Sequence, residues 1–423
     1  MNNPSPHHPH RGRLRGHGYF KRLGPGIVTG AADDDPSGIG TYSQVGAAFG
    51  LQLVWTTLVA LPFAIAVQEA TARLGLGAGR GLASLIKDNF RRWVLFVALV
   101  LVVGANTFNI GADLGSMAAA TNLLVPIPQI VLVIAFGVGI AVLEIAVPYR
   151  RYSRILRWLC LSLLSYLVVL FVVDVAWSDV ASNLFVPGLE FDKTRIAALI
   201  AVFGTTISPY LFFWQTSEEV EELNDGSTHG EPTRGQLAAM RGDVVAGMSS
   251  GVITMFAIMV TAASTLHTNG ITTIGTADEA AQALEPLAGR FAGLLFTLGI
   301  LGTGLLAVPV LAGSTSYAIA ETFGWREGLS LKMSQARAFY GVILGSMIAG
   351  MVMNVAGLDP VRGLYWSAIL NGFAAPPLIV IIFLLARKRS ILGDNASGKV
   401  SQVVVLLAAV LSAALPIAYL FAR

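Results

Sequence analysis

The chain is poor in charge. Lys, Arg, Asp and Glu make up 13% of its 423 residues, against 54% hydrophobic, where a soluble domain carries about 25% charged residues. That shortage excludes an ordinary soluble fold. A formal net charge of only +3 leaves no electrostatic footprint for nucleic acid. Cysteine is scarcer still: Cys160 stands alone, so neither a disulfide nor a thiolate metal cluster forms within one chain. No P-loop occurs, which argues against a nucleotide partner. His229 and His267 lack the spacing of zinc ligands, and no nucleophile has a convincing catalytic partner. The expectation is a chain that is not an enzyme and holds no resident cofactor. Residues 1–22 carry His7, His8, His10 and His17 beside Arg11, Arg13 and Arg15. Without the apolar core of a cleaved signal peptide, they read as a disordered basic cytoplasmic tail.

Apolar runs fill the rest. Stretches such as 94–103, 129–147 and 403–420 reach or approach spanning length, which makes this a multi-pass protein of the lipid bilayer. We read about eleven spans, at roughly 24–47, 51–74, 93–120, 127–148, 155–179, 196–222, 244–266, 288–321, 335–355, 363–386 and 402–422. Arg and Lys cluster on alternate loops: Arg80 to Arg92, Arg150 to Arg157, Arg234 and Arg241, Arg326 to Arg337, and Arg387 to Lys399. By the positive-inside rule the amino terminus is cytoplasmic and the carboxyl terminus extracellular, in a cell membrane. No short tandem repeat is present. Spans 1–5 (24–179) and 6–10 (196–386) nevertheless form two equal sets, and an odd number of spans per set forces opposite orientations. The last span, 402–422, is then peripheral to a single transporter domain over 23–422.

Each set opens on an interrupted helix. The first break is A-A-D-D-D-P-S-G, residues 31–38; the second is G-T-T-I-S-P-Y, residues 204–210. Backbone leaves the helical state at membrane depth only where it faces protein or a watery cavity, and charge there is costly. Paired breaks of this kind mark a secondary transporter with its site near the midplane. Asp35 precedes Pro36, which lacks an N–H and disfavours helical geometry before it; Gly38 adds freedom. A carboxylate with exposed carbonyls makes a hard cation site. Asp33 and Asp34 cannot both share its direction, and one of them, Asp34 for instance, can line the inner entrance. In the second break, Thr206, Ser208 and Tyr210 flank Pro209, and carbonyls freed near Thr206 and Ile207 can face Asp35. Alternatively, the hydroxyls simply satisfy a proline kink.

Three other positions bear on the pathway. Gln215 is polar among aromatics and can line the inner path. Glu218 and Glu222 share a helix face, where they either attract cations or form a solvated helix end. In span 3, Asn109 and Asp113 share a face with Asn106 one turn earlier. That seam either conducts water or protons, supports the first break, or joins helices as polar glue. Asn371 in span 10 can face the central site.

With these motifs the chain resembles the Nramp (natural resistance-associated macrophage protein) family of divalent-metal transporters, over roughly 22–420. The family pattern D-P-G-N is matched by Asp35-Pro36-Ser37-Gly38, and M-P-H-N by Ser208-Pro209-Tyr210-Leu211. The run from Gly111 to Leu124 is similar to the family's third span. The resemblance implies an all-α polytopic membrane protein with the LeuT-like five-plus-five inverted-repeat fold, broken at helices 1 and 6. It also implies a metal site at Asp35, Thr206, Ile207, Ser208 and Tyr210. The departures bear on selectivity: Gly38 stands for an asparagine ligand, Ser208 for the methionine and Tyr210 for a histidine. Asn371 replaces the usual glutamine, and Gln215 a histidine of proton-coupled relatives. Loss of the thioether favours a hard ion, and the pattern resembles the Nramp-related magnesium transporters. The expectation is alternating-access import of partly hydrated magnesium, with manganese a further substrate, without strict proton coupling, by a monomer. The alternatives are a proton-coupled manganese or transition-metal importer, an organic-solute symporter of the same fold, and a non-transporting scaffold.

Overall fold

The computed structural model describes residues 25–147, 163–186, 188, 192–225 and 232–422. The histidine-rich tail, the arginines from Arg150 to Arg157, Cys160 and His229 lie outside the described residues. Every described element is helical. The first half of the chain forms α1 (Pro25–Asp33), α2 (Pro36–Phe49), α3 (Thr56–Ala78), α4 (Leu82–Asn89), α5 (Arg92–Asn122), α6 (Gln129–Ala146), α7 (Leu164–Val172) and α8 (Trp177–Phe185). The second forms α9 (Lys193–Thr206), α10 (Pro209–Asp225), α11 (Arg234–Thr265), α12 (Ala277–Gln282), α13 (Glu285–Ala288), α14 (Ala292–Phe323), α15 (Arg337–Val355), α16 (Pro360–Ala386), α17 (Arg389–Leu392) and α18 (Lys399–Phe421).

Nine helical units among the described residues are long and apolar enough to cross a membrane. The remaining two expected spans have identifiable reasons to escape that test. The first is divided into α1 and α2, each shorter than a bilayer needs. Part of the fifth, 155–162, lies outside the described residues. The expected boundaries hold to within a few residues except at the fifth span, where α7 ends at Val172 rather than 179, and at the seventh. There α11 starts at Arg234 rather than 244, because Thr233 and Gln236 form a reciprocal capping box that begins the helix in polar sequence. The third and eighth spans are long, as expected, at 31 and 32 residues.

Apolar side chains face outward as well as inward. Phe96, Val142 and Val410 are exposed, and Phe171 is 86% so, an inversion that a hydrocarbon surround explains and water does not. Within the bundle, α5, α14 and α15 pack against one another, α1 lies along α11, α9 along α16, and α10 along α3. The α1–α11 contact is very close: a Cβ on Gly30 would lie 2.3 Å from the carbonyl carbon of Gly247. Only glycine permits backbones to approach so closely.

Candidate functional site

Both broken helices part in the same way. α1 ends at Asp33 and α2 begins at Pro36; α9 ends at Thr206 and α10 begins at Pro209. A two-residue gap precedes each proline, Asp34 and Asp35 in one case, Ile207 and Ser208 in the other. Proline fits the first position of a helix but pushes the residue before it out of the helical region, and Asp35 accordingly sits at φ −66°, ψ 170°.

Each proline also orphans one carbonyl. In an α-helix the C=O of residue i accepts from the N–H of residue i+4. Pro36 therefore leaves Ala32 without its donor, and Pro209 does the same to Thr205. The structure supplies hydroxyls in their place. Tyr210 donates its O–H to the Ala32 carbonyl at 2.7 Å, and Ser208 donates Oγ to the Thr205 carbonyl at 2.6 Å. Two buried carbonyls that the prolines leave without helical donors are thus capped by hydroxyls. Proline acts four residues back, so Thr205 joins Thr206 and Ile207 among the carbonyls that the break leaves without a helical donor.

Asp35 is 1% exposed and held by three donors. Ser37 Oγ and the Gly38 N–H donate to Oδ1 at 2.7 Å each, and Asn109 Nδ2 donates to Oδ2 at 2.8 Å. Donors of this number suit a carboxylate in its charged form. Gly38 enters as a donor to the aspartate and Asn109 as its positioning residue. Asp113, one turn beyond Asn109 on α5, is fully buried, and the Ser37 backbone N–H is directed at its carboxylate. Asn371 on α16 is equally enclosed, with both amide atoms unpartnered.

Other predicted residues take different parts. Thr206 shares a 2.9 Å hydrogen bond with the Tyr42 hydroxyl and donates to the Val202 carbonyl at 2.7 Å. It therefore joins α2 to α9. Ile207 is buried in the break as an apolar residue. Asn106 points away from Asp35, donating to the Leu311 carbonyl at 3.3 Å and to Thr315 Oγ1 at 3.1 Å; of the three roles open to it, polar glue between α5 and α14 is the one present. Gln215 lies on the α1 side of the site. Its Oε1 accepts from Thr29 Oγ1 and from Gln68 Nε2, the latter at 3.3 Å, while its Nε2 donates to Glu219 at 2.8 Å. Glu218 and Glu222 do not behave alike: Glu218 is 8% exposed and buried, whereas Glu222 is exposed. The solvated helix end is therefore confined to the outermost turn, since α10 packs along α3 up to Glu219.

Sequence reasoning passed over a polar cluster beneath this region. Glu69 and Arg73 pair one turn apart on α3, Arg241 on α11 donates Nε to Glu69 at 2.8 Å, and Arg73 Nη1 reaches the Asn395 carbonyl at 2.8 Å. Asp243 on α11 accepts from the Gly26 N–H of α1 at 2.6 Å. The signal was available: charges four residues apart inside an apolar span require partners. On the opposite side a cavity of about 250 Å³ opens between α2, α5, α14 and α16, lined by Ile39, Gly40, Ser116, Phe296, Leu364 and Tyr365 among others. It reaches the first turns of α2, whereas Gly26–Asp243 and the Glu69 cluster close the other side.

The sequence is 25% identical over 399 residues to a divalent metal cation transporter of Caldanaerobacter subterraneus, covering 92% of this chain and 90% of the relative. It is 28% identical over 385 residues to one of Klebsiella pneumoniae, covering 88% and 87%. The fold is similar to that of a manganese transporter of Eremococcus coleocola, with a TM-score of 0.76 at 17% identity over 95% of this chain and 87% of that one. It also resembles a nucleobase-cation-symport-1 family transporter in a closed conformation, with a TM-score of 0.62 at 15% identity over 94% and 93%. These likenesses bear out an all-α, multi-pass architecture with broken helices and a carrier rather than an enzyme. The model of the Nramp family, natural resistance-associated macrophage protein-like, matches residues 26–422; the chain belongs to that family.

Proposed function

We propose that this protein carries a divalent metal cation across a membrane by alternating access, with Asp35 as its central charged ligand. The observation that carries this reading is the enclosed Asp35 carboxylate, oriented by Ser37, Gly38 and Asn109 beside the two hydroxyl-capped carbonyls of Ala32 and Thr205. Carboxylate, carbonyl and hydroxyl oxygens are ligands for hard cations, manganese and magnesium among them. The relatives are named as divalent metal cation transporters and the fold neighbour as a manganese transporter, which favours manganese over the magnesium that the sequence motifs suggested. Magnesium remains the second reading, on one observation: Ser208 and Tyr210 stand where the family resemblance places methionine and histidine. Asn371, buried with both amide atoms unpartnered among the described residues, offers polar atoms to an ion that keeps part of its water. A membrane potential negative on the receiving side contributes roughly 4–5 kcal/mol to moving two charges through about 100 mV.

The test is ion entry into liposomes containing the purified protein, with manganese and magnesium supplied separately and Asp35→Ala as the matched control. Saturable manganese entry that disappears in the variant is the expected result. Magnesium entry with no manganese entry would replace the first reading by the second. Equal flux with and without Asp35 would sink both.

A further inference from the structure

The first break carries three consecutive carboxylates, and only one of them takes part in the site described so far. Asp33 ends α1 and Asp34 follows it; they are 2% and 6% exposed. Both turn toward α11 at Gly251. From the point where a Cβ on Gly251 would stand, Asp33 Oδ2 is 3.4 Å away, the Gly30 carbonyl oxygen 3.6 Å and Asp34 Oδ1 3.7 Å. Three oxygens from α1 and its end thus surround a notch that exists because residue 251 has no side chain. Thr254, one turn further along α11, hydrogen-bonds the Asp34 carboxylate. The other oxygen of Asp33, Oδ1, has no hydrogen-bond partner among the described residues, and there neither aspartate forms an ion pair with Lys or Arg.

Two buried carboxylates facing one point require a positive charge or protons, because desolvation of each uncompensated charge costs several kcal/mol. We propose that the Gly251 notch is a second binding site for a divalent cation, held by Asp33, Asp34 and the Gly30 carbonyl. The ligands are hard oxygens, their two negative charges match the ion's two positive ones, and the ion's remaining positions are filled by water. The notch lies on the α1–α11 seam, on the side of the site that the Gly26–Asp243 contact closes. An ion leaving Asp35 in that direction meets the two aspartates as α1 separates from α11, so the notch acts as a relay on the exit path. This inference rests on the divalent-cation reading above.

The two can be separated by counting bound Mn2+ on the purified full-length chain and recording its electron paramagnetic resonance. Gly251→Ala places a methyl in the notch at ordinary van der Waals separation, and Asp33→Asn serves as a second variant that keeps the side-chain volume. The wild type is expected to bind about two equivalents with mutual spin broadening, and each notch variant or Asp35→Ala about one, without broadening. A single equivalent in the wild type, kept in Gly251→Ala and in Asp33→Asn but lost in Asp35→Ala, would overturn the notch and leave the central site standing. Absence of bound Mn2+ in the wild type would overturn both.

Discussion

Tyr210→Phe removes a single oxygen from the wall of the site, and its consequence can be worked through. That hydroxyl donates to the Ala32 carbonyl at 2.7 Å, a carbonyl left without a helical donor because Pro36 has no N–H. A cation that takes the carbonyl as a ligand must first displace the hydroxyl. The net worth of a neutral hydrogen bond of this kind is about 1 kcal/mol. Removing it is expected to raise the affinity for an ion that binds the carbonyl directly by about fivefold, at about 1.4 kcal/mol per tenfold. Magnesium gives up its water reluctantly, so its affinity is expected to gain less than that of manganese. The ion-free protein pays for the change, since a buried carbonyl without a donor costs about 1–3 kcal/mol of stability. The assay pairs ion competition for uptake with thermal unfolding at zero and saturating manganese. The expected signature is a lower melting temperature without metal, recovered when manganese is added. If the variant folds, melts lower and binds both ions as before, the Ala32 carbonyl is not a ligand and the displaceable-cap mechanism is wrong.

Three further outcomes follow from named contacts. Gly30→Ala would drive a methyl into the Gly247 backbone; overpacking of this kind costs about 1–3 kcal/mol and should bias α1 away from α11, read as increased labelling of a cysteine introduced at Thr29 in a Cys160→Ser background. Unchanged labelling would show that the seam does not gate the site. Asn106→Ala breaks the contacts to Leu311 and Thr315 and should lower stability by about 1 kcal/mol while leaving the KM for metal alone; a shifted KM would return Asn106 to the pathway. Glu327, in the turn between α14 and α15, is pushed up to about 9 by burial first and then by the Glu321 and Glu221 carboxylates. The folded chain therefore holds more protons than the unfolded one between the ordinary glutamate range and that value, so this residue's contribution to stability is present at low pH and lost as pH rises through the window. Glu327→Gln should flatten the dependence of the melting temperature on pH, and a parallel curve would refute the assignment.

Much of this protein was legible in its sequence because the causes are local. Apolar length sets the spans, and Asp35-Pro36 and Ser208-Pro209 could be read as breaks without any tertiary contact because polar residues surround them, whereas Pro62, Pro309, Pro376 and Pro416, in apolar surroundings, stay inside continuous helices. Even the two orphaned carbonyls follow by counting four residues back from each proline to Ala32 and Thr205. Which groups answer those carbonyls does not follow. Ser208 caps Thr205 within its own segment, but Tyr210 reaches across to Ala32, 178 residues away, and only the crossing of the two broken helices brings them together. The same holds on α5. Asn106 and Asn109 are three residues apart and alike in chemistry, yet one meets α14 and the other Asp35, because about 60° of rotation around a helix selects a different neighbour. Glu218 and Glu222 share a helix face by sequence, but packing in the bundle buries one and leaves the other exposed. The sequence by itself determined where the chain must leave the helix and which charges lie at membrane depth; the tertiary structure decided which oxygens converge, since convergence depends on how neighbouring helices pack and not on the residues along any one of them.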